Sequence, residues 1–111
     1  DNVEKLKEFI KNNPTFQWNE KYLNLPWKKE SQTPLSAATW LGAINCVEYL
    51  LVHNTGNIKA SYKILSSHGF SALHYAKNPP KPSRSYKNQK PENFKNIVVV
   101  LEQHMPKKIH K

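Results

Sequence analysis

Apolar residues gather in four short runs, at 3–10, 33–52, 70–76 and 94–101, with polar stretches between them. Three stretches share one spacing. Val3, Leu6, Phe9 and Ile10 match Ile44, Val47, Leu50 and Leu51, each set falling at i, i+3, i+6 and i+7. Phe94, Ile97 and Leu101 repeat the same register. Such spacing lines one face of a helix and predicts three equivalent amphipathic helices. A second, shorter pattern also recurs. Thr33-Pro34-Leu35-Ser36-Ala37-Ala38 is echoed by Ser71-Ala72-Leu73-His74-Tyr75-Ala76, with Leu73 over Leu35 and Ala76 over Ala38.

Local chemistry explains why each pattern makes a helix. Thr33 is placed to cap the first free N–H groups. Pro34 suits the first turn, where its missing N–H costs nothing and its φ is already set. Ala37 and Ala38 keep this helix thin, so a neighbour can approach closely. Gly42 supplies the left-handed conformation that ends it. The following helix then offers Ile44, Val47, Leu50 and Leu51 for burial, each contributing about 1.5–3 kcal/mol.

Recurrence of both half-patterns in the same order resembles the ankyrin repeat, a β-turn and two antiparallel helices per unit of roughly 33 residues with a T-P-L-H-x-A signature. The middle unit carries Thr33, Pro34, Leu35, Ala38 and Gly42, then Val47-Glu48-x-Leu50-Leu51. The third keeps Gly69, Leu73, the motif histidine at His74, and Ala76. The resemblance implies an all-α fold: a solenoid of stacked helix-turn-helix units joined by β-turn or hairpin loops. It divides one domain, 1–111, into a second helix of a truncated first repeat (1–14), a long loop (15–32), a middle repeat (33–54), a loop insertion (55–66), a third repeat (67–105) and a basic tail (106–111). Ser71 lies 38 positions after Thr33, which calls for the insertion at 55–66. A second insertion, 78–91, separates the two helices of the third repeat. Ser36 stands where the motif has His, and Ala72 where it has Pro. About three units are usually needed for stability, so the aromatic stretch Phe16–Trp27 is expected to cover an end of the stack; its other reading is a clamp for bases or a peptide.

Composition narrows the function. Seventeen Lys and Arg against eight Asp and Glu give a net charge of +9, which favours an acidic partner or serves solubility alone. Arg84 is the sole arginine. Base and phosphate recognition leans on the bidentate guanidinium, so a lysine surface points away from sequence-specific nucleic-acid binding. One cysteine, Cys46, excludes an internal disulfide and fits a reducing, intracellular setting, cytoplasmic or nuclear. The longest apolar run, Ile97–Leu101, is too short to span a bilayer. The chain does not begin with Met and is expected to be a piece of a longer multidomain protein.

Catalytic chemistry has no visible constellation. The five histidines, the cysteine and the carboxylates lack the spacing of a metal site or an activated nucleophile, and no glycine-rich phosphate loop is present. We expect no enzyme activity, no cofactor and no metal. His74, on the motif position, is expected to tie the turn backbone together, and Cys46 to be a small core residue. The resemblance implies a recognition surface on the concave face, formed by turn tips and the exposed edge of each first helix. Carried over by position, it comprises Lys29, Glu30, Gln32, Trp40 and Leu41 in the middle unit and Ser67, His68 and Phe70 in the third. Trp40 either faces outward as an anchor or packs beneath the 78–91 insertion. That insertion adds Lys81, Arg84, Lys87 and Lys90 as a basic loop, read as a contact for an acidic or phosphorylated partner or as a solvated linker. The expected function is a non-catalytic protein–protein interaction module holding an acidic peptide or protein surface. Nucleic-acid or nucleotide binding, and a structural spacer in a larger protein, are the alternatives.

Overall fold

A computed structural model describes residues 2–20, 22–23, 31–56, 58–81 and 89–104. Five helices carry the described part: α1 (Val3–Asn12), α2 (Pro34–Trp40), α3 (Ile44–Val52), α4 (Ala72–Lys77) and α5 (Pro91–His104). Two short strands, β1 (Tyr22–Leu23) and β2 (Ser31–Gln32), pair antiparallel with Tyr22 opposite Gln32. The protein is therefore mostly helical, with a single two-residue ribbon among the described residues.

Side-chain oxygens start three of the helices. Asn2 accepts from the Lys5 N–H, Thr33 from Ser36 and Ser71 from His74. The turn after α2 shows why Gly42 is needed. Its φ is +72°, and the Gly42 and Ala43 N–H groups bond back to the carbonyls of Thr39 and Ala38 at 3.0 and 2.9 Å. This paired closure satisfies carbonyls that the helix end leaves open. α3 begins one residue later and runs back along α2.

Helix α2 packs on α3 and α4, α5 packs on α3 and α4, and α1 packs on α3. Leu35, Val47, Leu50, Ile97 and Leu101 form the fully buried centre, joined by Leu51, Val100, Ala72 and Ala76. The register expected for α3 and α5 matches this burial, except that Ile44 is only half-buried. In α1 the same register is covered far less: Leu6 and Ile10 are half-buried and Phe9 is exposed. The reason is the contact pattern, since among the described helices α3 is the main neighbour of α1.

Phe9 instead joins Phe16 and Trp18 in an edge-to-face cluster, with centroid distances of 4.7–6.1 Å. Trp18 is buried against the core, and its indole N–H has no hydrogen-bond partner among the described residues. Of the remaining aromatic stretch, Leu25 and Trp27 lie outside the described residues. No helix among the described residues is long and apolar enough to cross a membrane.

Candidate binding surface

Two turns are held side by side at one edge of the helices. The Ser67 N–H donates to the Ser31 carbonyl at 3.0 Å, and the Ser31 N–H donates to Ser67 Oγ at 2.8 Å. The first turn leads into α2 and the second into α4, so these bonds set the starts of the two helices next to each other.

The second turn is built around a buried hydroxyl. Ser66 Oγ accepts from the backbone N–H groups of His68 and Phe70, both at 3.3 Å, and from Tyr75 Oη at 2.8 Å. The Ser66 N–H donates to the Phe70 carbonyl, and the Gly69 N–H donates to the Ser66 carbonyl. Gly69 takes φ +82° to close the loop, a conformation that side chains with a Cβ resist. Phe70 is therefore fixed at the tip. Its ring lies flat on the His74 imidazole, at 4.0 Å and 7° between planes, and meets Tyr75 and His68 edge-on. Phe70 nonetheless stays 38% exposed. An aromatic held rigidly at the surface loses little conformational freedom when a partner covers it.

The histidine expectation is corrected here. His74 does not bridge the turn backbone; its ring is the platform for Phe70, and Ser66 supplies the bridging oxygen. Ser66 carried no sequence signal, because its role depends on Tyr75 reaching back nine residues.

The expected surface residues divide into three groups. Ser67, His68 and Phe70 are exposed and lie together on this turn, while Leu41 is half-buried. Trp40 and Gln32 are buried, at 7% and 2% exposure, so neither presents a side chain to a partner. For Trp40 the outward-facing alternative is thereby corrected. Gln89, at the far end of the 78–91 insertion and itself 2% exposed, donates its Nε2–H to the Trp40 carbonyl at 3.0 Å. Gln32 is held by its place in the ribbon beside the capped start of α2. Lys81 and Lys90 are exposed at the two described ends of the insertion. Lys29, Glu30, Arg84 and Lys87 lie outside the described residues.

Among the described residues no group of three or more His, Cys, Asp or Glu is placed to hold a metal. Cys46 is half-buried on α3, and burial pushes its thiol pKa up. Comparison with protein-family models, with curated proteins and with solved structures finds no match to this chain.

Proposed function

We propose that this chain is a non-catalytic protein-interaction module of the ankyrin kind, whose turn-tip surface holds an acidic protein segment. The observation that carries the proposal is Phe70. A hydrogen-bonded turn and a stacked imidazole keep this large apolar ring at the surface of a protein with a net charge of +9. Aromatic side chains in such settings dominate interface energies, and the positive field draws an acidic partner to them.

The helix contacts support the solenoid part of the proposal. α2 lies on α4 and α3 on α5, so each helix touches its counterpart in the recurring sequence pattern. The Ser31–Ser67 bonds set the strand before α2 edge to edge with the turn before α4. A stack of like units predicts both features. Placement inside the cell, in the cytoplasm or nucleus, belongs to the same proposal.

The test compares a fluorescein-labelled acidic peptide containing Leu with a single-stranded oligonucleotide of equal charge, by anisotropy at fixed salt. The peptide should bind, and Phe70→Ala should weaken it by about tenfold, equivalent to about 1.4 kcal/mol. Tighter, base-dependent binding of the oligonucleotide would transfer the assignment to a nucleic-acid binder. Binding of neither would leave the spacer reading.

A further inference from the structure

The C-terminal end of α4 and the first half of α5 enclose a groove of about 320 Å³. That is at the small end of the roughly 300–1,000 Å³ range of ligand pockets, enough for a side chain or two. Its apolar lining comes from Pro79, Pro91, Phe94 and Val98. Pro91, Phe94 and Val98 fall at i, i+3 and i+7 of α5, one stripe of that helix. Phe94 is buried, while Val98 is only half-covered. The stripe therefore runs from the core to the surface, where Val98, though packed against the core cluster, stays half-covered.

Lysines border it. Lys77 and Lys95 line the groove, and exposed Lys90 and Lys81 stand one and two residues beyond the lining prolines. Two carboxylates lie near. Glu102 is engaged with Lys77 at 3.5 Å, both half-exposed, and Glu92 is exposed on the first turn of α5. Counted among the described residues, four cations in and beside the lining against two anions leave the surroundings of the groove positive. Lysine stems also extend apolar surface while keeping the ammonium in water.

We infer that this groove docks a short acidic, amphipathic helical segment of a partner protein, seating its apolar side chains over Pro91 and Val98 and its carboxylates on Lys95 and Lys77. The inference rests on the acidic-partner reading above and adds a second surface to the turn tip. Charge complementarity selects this occupant. A second copy of the chain would bring one lysine rim against another, each chain carrying +9. A nucleic acid would find no exposed aromatic in the groove to stack on, because Phe94 is buried. Helix-in-groove recognition uses anchors at i, i+3 or i+4 and i+7, the spacing of the stripe that receives them.

The probe is a short fluorescein-labelled helical peptide with Leu at i, i+3 and i+7 on one face and Glu on the other. A Glu/Ser peptide of equal length and charge is the control. The Leu/Glu peptide should bind, and Lys95→Glu and Val98→Asp should each weaken it by about tenfold or more. Lys59→Glu, the same charge change at an exposed lysine outside the groove lining, should leave it within about twofold, and the Glu/Ser control should bind about tenfold more weakly. Lys95 is exposed, so Lys95→Glu keeps the helical circular dichroism and its result stands even if Val98→Asp unfolds. Three outcomes overturn the inference. If the Lys95 and Val98 variants bind like the parent while Phe70→Ala does not, the groove is not the site and the turn-tip proposal survives. If the control binds as tightly as the Leu peptide, only the net field acts. If neither peptide binds, the acidic-partner reading fails as well.

Discussion

Cys46 sits on α3 with its thiol half-covered, and burial holds its pKa above the ordinary value. Withdrawal from water penalises the thiolate, the form that reacts. Alkylation by iodoacetamide near neutral pH should therefore run slower in the folded protein than in urea, where the thiol is free. Linkage gives the pH dependence. Between the unfolded and folded pKa values the native state holds the proton and the unfolded chain does not. Stability then falls as pH rises from about 8.5, the ordinary thiol value. A denaturant midpoint that drops above that pH in the parent and less in Cys46→Ala would show it. The sequence reading made Cys46 a small core residue; it is instead half-buried and stands outside the core cluster, because its cover depends on what packs there. The same holds at Trp40, where a residue expected at the surface on one reading is buried, with its carbonyl bonded by Gln89, 49 positions on.

Among the helices, the Thr33 cap was the most legible feature, and Ser71, aligned with it in the recurring pattern, caps α4 in the same way. Thr33 and Ser71 each accept from the N–H three residues on, at 3.2 and 3.1 Å, as their chemistry requires. Removing one oxygen leaves a donor at the start of a short helix without its partner. Thr33 is buried, so water does not readily replace the lost bond. Thr33→Ala should lower unfolding stability by about 0.5–2 kcal/mol in urea denaturation, while Thr33→Ser should recover most of that loss. α1 shows the limit of such reasoning. Its stripe of Val3, Leu6, Phe9 and Ile10 has the same spacing as that of α3, yet none of its residues is buried. Spacing fixes which side of a helix is apolar, but the cover comes from neighbours, and among the described helices α1 leans mainly on α3.

For the molecule as a whole, the 78–91 insertion is tied to the core at its far end. The Gln89 amide reaches the Trp40 carbonyl across 49 positions of sequence, in a buried setting. This bond connects the end of α2 to the segment entering α5. Gln89→Ala would remove the donor and leave that carbonyl buried, at a cost of about 1–3 kcal/mol. The thermal midpoint should fall accordingly. Gln89→Glu should fall at least as far at neutral pH, because a carboxylate cannot donate to a carbonyl. Melting of either variant at the parent's temperature would show that the bond contributes nothing to holding the insertion.

The sequence by itself determined the helices at 34–40, 44–52 and 94–101, the Thr33 cap that starts the first of them, the glycine that separates the first pair and the net positive charge. These follow from interactions within a few residues: capping bonds, backbone preference and the period of apolar positions. The packing of α2 on α4 and α3 on α5, the burial of Trp40 and Gln32, the Ser66 bridge beneath Phe70 and the half-open stripe at Val98 were decided only by tertiary structure. Each depends on groups distant in sequence or on the absence of a covering neighbour, and local periodicity does not encode which other segment arrives.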